Sequence, residues 1–211
     1  GFLTVRWRLP SFIVTLGMLE MARGGAYIAT DSRTLYLADK AAAKPLMTFV
    51  SGRFLGIPVS VYIAVAVIAV AHIVLTRTVF GRYVTAVGTN EEAVRLSGID
   101  VRKVRFAVFA ISGLLVGLGA LVNTARLGSV TPGAGEGWEL QAIAAVLIGG
   151  TSLMGGRGSV LKTVLGVLIM AVLASGLSFV GASEYHKRII TGGVIVAAVI
   201  ADYYRLRLVR G

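Results

Sequence analysis

The chain has 211 residues, of which 56% are hydrophobic and only 15% charged, and its mean hydropathy is +0.82. A soluble domain clothes itself with about a quarter charged residues, so this composition excludes a water-soluble globular protein and points to a membrane one. Lys and Arg number 21 against 10 Asp and Glu; the excess lies between and after apolar runs, where it orients a chain against a bilayer rather than binding nucleic acid, and the lack of cysteine excludes disulfides, thiol catalysis and thiolate metal sites.

Residues 1–9 carry Arg6 and Arg8, and Pro10, suited to a first helical turn, opens a run over Ser11–Ala29. Up to Arg23 this run makes a helix of about 20 Å, short of the roughly 30 Å hydrocarbon core, and Gly24-Gly25 cuts it. Glu20 and Arg23, three residues apart, share one face. Ionisable groups at membrane depth are costly and turn toward a protein interior or a wet cavity, so the two either contact a substrate or form a structural ion pair. Residues 31–56 are mixed and turn-rich, an extramembrane loop with a short helix expected around 41–50. Residues 57–75 form an unbroken apolar run, the clearest spanning helix in the chain.

A polar insert follows, GTNEEAVRLSGIDV over residues 88–101. Thr89 or Asn90 can cap a helix here, and Thr89 with Glu92 has the spacing of a capping box. Glu91 precedes Arg95 by four residues, the favourable orientation for an ion pair, and Gly98 suits the left-handed turn that ends a helix. Ala93, Val94 and Leu96 cover an uneven apolar side. The pattern leaves two readings: a loop helix lying on its own protein, or a docking surface. With its flanks the insert holds Arg77, Arg82, Arg95, Arg102, Lys103 and Arg105 against Glu91, Glu92 and Asp100, which the positive-inside rule assigns to the cytoplasm.

Residues 104–122 return outward with Gly113 and Gly117 at close-packing spacing, and residues 123–137 form an outer glycine-rich loop ending at Trp138, an interfacial aromatic. Residues 139–153 are apolar but only about 22 Å long as a helix. Gly149-Gly150 interrupts them ahead of a Gly155-Gly156-Arg157-Gly158 turn. Residues 159–180 span outward, 181–188 form a short outer loop, and 189–204 return inward toward Arg205, Arg207 and Arg210. The expected fold is all-α: a polytopic bundle of about six membrane segments, two of them short and glycine-broken, with both ends cytoplasmic.

Short or glycine-interrupted segments in comparable positions of two halves are the best sequence pointer to a transport pathway. Here they are residues 11–25 and 139–150, and the candidate pathway residues are Glu20, Arg23, Glu139, Gln141, Gly149, Gly150 and Thr151. The plainer alternative is a pair of tilted helices with glycines for packing, in which Glu139 and Gln141 merely satisfy helix-start N–H groups. No nucleophile with a base, metal cluster or phosphate loop is present, and His72 and His186 are assigned structural roles. The chain is therefore expected to be no enzyme, to hold no metal and no cofactor of its own, and to draw energy from an ion gradient or from a partner.

Three stretches favour the partner: GRYVTAVGTNEEAVRLSGIDV over residues 81–101, PSFIVTLGM over 10–18 with Ala22-Arg23-Gly24, and GEGWELQAIAAVLIGGTSLMGGRGS over 135–159. They resemble, in order, the permeases of ribose/xylose-type bacterial ABC sugar importers. The resemblance implies a monosaccharide permease subunit in the bacterial plasma membrane, usually paired with a second copy. It further implies a separate ABC ATPase that uses the ATP and an extracytoplasmic binding protein that delivers the sugar. The segment Asn90, Glu91, Glu92, Ala93, Arg95, Leu96, Ser97, Gly98 and Ile99 would be the ATPase-coupling site, within a cytoplasmic loop over 76–103. Family members commonly carry an acidic residue at the position of Gln141, and further N-terminal helices, so residues 1–211 are expected to be one permease domain from the C-terminal part of a longer chain. An ABC permease for another solute, such as a branched-chain amino acid, nucleoside or furanose signal, and an ion-gradient carrier are the competing readings.

Overall fold

In lipid every backbone N–H and C=O must be satisfied within its own segment, so long apolar runs become helices. The computed structural model describes residues 1–7, 10–37, 44–152 and 155–210, with side chains at 3, 5, 46 and 201–210 left out. In chain order the elements are α1 (Phe2–Trp7), α2 (Ser11–Ala29), β1 (Leu35–Tyr36), α3 (Lys44–Ser51), β2 (Arg53–Phe54), β3 (Ile57–Pro58), α4 (Val59–Arg77) and α5 (Val79–Thr89). There follow α6 (Glu91–Leu96), α7 (Val101–Leu127), β4 (Ser129–Val130), α8 (Trp138–Ile148), α9 (Val160–Phe179) and α10 (Glu184–Arg210). Helices α2, α4, α7 and α9 are long and apolar enough to cross a membrane. The chain is an all-α, polytopic membrane protein whose strands are two-residue pairs. It divides into two compact units, residues 1–69 with 98–134 and residues 70–97 with 135–211.

In the first unit α1 packs on α7 and α2, and α3 packs on α7. Val50 of α3 and Ala125 of α7 are buried, and the Ser51 hydroxyl donates to the Ala125 carbonyl at 3.2 Å. Strands β1 and β4 pair antiparallel with Leu35 opposite Val130, and the Leu37 N–H donates to the Gly128 carbonyl at 2.9 Å. Residues 35–37 and Ser51 therefore meet residues 125–130 at the C-terminal end of α7. Four details differ from expectation. Helix α2 runs unbroken through Gly24-Gly25 to Ala29, 19 residues, where a break after Arg23 was expected; the helix tolerates both glycines. Residues 2–7 form a helix on α7 where a short lead was expected. The loop helix begins at Lys44, residues 41–43 lying outside the described residues. And α7 extends over 27 residues, beyond 104–122 at both ends, because Asp100 caps its start and Gly128, at φ +69°, closes its end.

In the second unit α8 packs against α9 and α10. Ala144, Ala145 and Leu147 of α8 are buried, and so is Gly166 of α9. A Cβ built on Gly166 would collide with the Ala145 carbonyl oxygen, and one on Gly149 would lie 2.5 Å from the Lys162 carbonyl oxygen. Glycine at both positions lets two backbones touch. Helix α8 has only 11 residues, about 17 Å, and stops at the expected Gly149-Gly150 interruption, where Gly149 packs on α9. The expected segment 189–204 lies inside α10, which also takes up residues 184–188 of the expected outer loop, and the Ser183 hydroxyl sits 2.7 Å from His186 Nδ1 at its start.

Gly166→Ala should cost at least about 1–3 kcal/mol, the usual penalty for overpacking, because the obstacle is a carbonyl rather than a movable side chain. Gly176→Ala, with open space around it in the same helix, should be neutral or mildly stabilising. Thermal denaturation of the two detergent-solubilised variants checks the contrast.

Candidate functional site

The polar insert folds as a run of helix breaks, each with its own local cap. Thr78 accepts from the Gly81 N–H at 3.2 Å and starts α5. Gly81 is buried there, since any Cβ would strike the Leu75 carbonyl at the end of α4. Asn90, with extended backbone at φ −155°, starts α6, its Oδ1 accepting from the Ala93 N–H at 3.0 Å. Thr89 does not form the expected capping box with Glu92. It is the last residue of α5, where its hydroxyl donates to the Thr85 carbonyl at 3.0 Å, whereas a cap needs an extended backbone.

Arg95 binds Glu92 at 2.5 Å, three residues back. The Ser97 N–H and hydroxyl both reach the Ala93 carbonyl, at 3.1 and 2.9 Å, and Gly98 at φ +82° ends the helix as expected. The outcome is one anchoring side chain under a polar surface: Val94 is buried, Ile99 is half-buried, and Glu91, Glu92, Ala93, Arg95, Leu96 and Ser97 are exposed. Leu96 is 79% exposed, an apolar side chain held out among charges.

Behind this surface, within the same unit, the backbone of the insert rests on the turn between α8 and α9. A Cβ on Gly88 would lie 2.5 Å from the Gly156 nitrogen, one on Gly155 would lie 2.9 Å from the Gly88 carbonyl oxygen, and one on Gly156 would lie 2.5 Å from the Thr89 hydroxyl oxygen. Gly155 and Gly156 also need glycine for their backbone, at φ +85° and +73°. Gly88 has no such need, so it is glycine for space alone. The sequence reading treated Gly155 to Gly158 as a tight turn and passed over Gly88. The available signal was a glycine at the end of a helical pattern with no turn to explain it.

Of the candidate pathway residues, Glu20 and Arg23 belong to the first unit and the other five to the second, where they sit at the two ends of α8. Glu20 and Arg23 pair with each other at 3.4 Å along α2, a helix with no buried residue, so the ion pair is internal to one helix. Glu139 and Gln141 are exposed in the first turn of α8; there the carboxylate meets the positive end of the helix dipole and the Gln141 N–H donates to the Gly137 carbonyl at 3.2 Å. Gly149, Gly150 and Thr151 lie at the other end of α8, about 12 Å away along the axis. Gly149 packs on α9, Gly150 turns at φ +75°, and Thr151 faces Thr163 with their hydroxyl oxygens 3.4 Å apart. A groove of about 280 Å³ lined by Phe2, Arg6, Arg102, Lys103 and Phe106 contains none of them. Among the described residues no group of three His, Cys, Asp or Glu could hold a metal ion.

Residues 1–199 match the family profile described as branched-chain amino acid transport system / permease component. The ribose import permease of Haemophilus influenzae is 42% identical over 204 residues, covering 97% of this chain and 63% of that protein. The ribose import permease of Escherichia coli K12 is 41% identical over 202 residues, covering 96% and 63%. The D-allose transport system permease of the same strain is 37% identical over 199 residues, covering 94% and 60%. The chain thus spans less than two thirds of the length of the curated relatives it matches. No solved structure gives a significant match.

Asn90→Ala should remove the α6 cap at a cost near 1 kcal/mol, raising amide exchange across Glu91–Leu96 about fivefold. Thr89→Ala should leave that exchange unchanged. Hydrogen exchange of the two variants in detergent distinguishes which residue is the cap.

Proposed function

This chain belongs to the branched-chain amino acid transport system / permease component family, and on that premise we propose that it is the permease subunit of an ABC importer for a monosaccharide. The observation that carries the reading is its 42% identity, over 97% of its length, to a protein named as a ribose import permease. The D-allose permease match favours the same solute class. The family description itself mentions branched-chain amino acids, which keeps that solute class as the alternative to be tested.

The division of labour follows from the chemistry each part needs. This chain has no phosphate-binding loop ending in Gly-Lys-Ser or Gly-Lys-Thr, so ATP belongs to a partner ATPase and the permease is not itself an enzyme. The partner docks on α6 within the loop over 76–103, using Asn90, Glu91, Glu92, Ala93, Arg95, Leu96, Ser97, Gly98 and Ile99. An exposed leucine rimmed by opposite charges supplies an anchor with a polar surround, the arrangement that gives a small interface both affinity and register. This loop and both ends of the chain lie in the cytoplasm. The sugar arrives on the other side from an extracytoplasmic binding protein and passes through a pathway completed by a second permease copy. Glu20, Arg23, Glu139, Gln141, Gly149, Gly150 and Thr151 are its candidate lining. Neither cofactor nor metal is held by this chain.

Reversing the charges together, with Glu91→Lys, Glu92→Lys and Arg95→Glu, should lower co-purification of the ATPase subunit and sugar uptake by tenfold or more, about 1.4 kcal/mol or greater in docking. Survival of both would remove α6 from the interface. Because residues 1–211 contain no cysteine, a single Glu91→Cys gives one label site within them; it should resist an impermeant maleimide in intact cells and react in inverted vesicles. Uptake assays with D-ribose, D-allose and D-fructose against leucine, isoleucine and valine should show transport of one of the sugars alone.

A further inference from the structure

We propose that Gly88, Gly155 and Gly156 bolt the docking segment to the α8–α9 pair, making them one rigid lever through which the partner's stroke reaches the end of the broken segment α8. The inference rests on the importer reading above and adds positioning residues that the reading does not contain. Its starting point is the kind of contact involved. Where two helices meet through side chains, rotamer changes can absorb a displacement of an ångström or so. Where glycine backbone lies on glycine backbone nothing can rotate, and close-packed atoms transmit the displacement.

The chain of such contacts is continuous within one unit. At its first link, Gly88 and Thr89 at the end of α5 rest on Gly155 and Gly156, at separations that leave no room for a single Cβ in either direction. The turn that carries this contact is braced from within: the Gly155 N–H donates to the Ser152 carbonyl at 3.2 Å and the Ser152 N–H to the Arg157 carbonyl at 3.0 Å. Gly158 then closes on Thr151, where a Cβ would lie 2.9 Å from the threonine methyl, and Thr151 faces Thr163 of α9. At the last link Gly149 and Gly166 hold α8 and α9 backbone to backbone. Among the described residues, the close contacts from the end of α5 to α8 and α9 are made by Gly88, Thr89, Gly155, Gly156, Gly158, Thr151, Gly149 and Gly166. A push on α6 passes through backbone contact at Gly88 on Gly155 and Gly156 and at Gly149 on α9, with only short threonine side chains between, and it arrives at Gly149, Gly150 and Thr151.

The test uses the complete transporter, with its ATPase and binding protein, reconstituted in liposomes. Gly88→Ala and Gly156→Ala should keep the ATPase subunit bound and hydrolysing ATP while sugar uptake per ATP falls at least about tenfold, the signature of a slipping lever rather than a lost partner. Gly192→Ala, in open space on α10, should keep full uptake. Uptake within about twofold of the parent in both lever variants would overturn the bolt while leaving the docking assignment intact. A parent transporter that binds no ATPase would overturn the importer reading itself, and the bolt with it. A second measurement leaves the three glycines in place, so it does not depend on how the variants fold. Spin labels at Tyr83→Cys in α5 and Val172→Cys in α9, read by pulsed dipolar spectroscopy, should keep their separation to within about 1 Å between nucleotide-free and ATP-bound states. A larger change would show that the two parts move independently and would overturn the proposal.

Discussion

Helices in lipid gain little by hiding apolar side chains from water, because the surrounding tails are as apolar as leucine. What remains is closeness: dispersion between backbones that can approach only where no Cβ intervenes. The second unit depends on this constraint. Gly166 under Ala145, Gly149 against Lys162, and Gly88 on Gly156 are contacts that any other residue would force open. The buried side chains around them are correspondingly small, with Ala144 and Ala145 the most enclosed in α8. A large apolar core would be redundant here.

At the helix breaks between α4 and α7 a different rule operates. Each interruption between α4 and α7 is satisfied by one short polar side chain or one glycine: Thr78 for α5, Asn90 for α6, Asp100 for α7, and Gly98 in the left-handed turn between them. None of these caps depends on a distant part of the chain. The short helix α6 is consequently fixed by its own ends and by one buried valine, leaving its remaining side chains outward. Local satisfaction of the backbone is what frees a six-residue helix to present a surface.

The sequence made the periodic features legible and missed the ones set by distance. The run at 57–75 became α4 at Val59–Arg77, and Gly98 ended α6, because apolar length and a left-handed glycine are local signals. The choice between Thr89 and Asn90 as cap was open in the sequence, since both have the right chemistry; only the backbone at residue 90, extended at ψ 97°, decides it. The end of α8 at Ile148 was likewise legible, in the Gly149-Gly150 interruption, but the purpose of Gly88 was not: it is settled by atoms far along the chain, on the turn before α9. Glu20 and Arg23 were read correctly as sharing a face, and they bond to each other along it.

The two-residue pairing of β1 with β4 bears on how the protein is made. Leu35 and Val130 are partners in the finished fold, yet α4 and α7 lie between them in the chain. During synthesis the first strand must wait, its ladder groups exposed, until both intervening helices have been threaded across the bilayer. Only then can the loop close, at an entropic cost that grows slowly with its length. This small patch of sheet thus ties the chain before α4 to the chain after α7, and it can form only once residues 129–130 have been made.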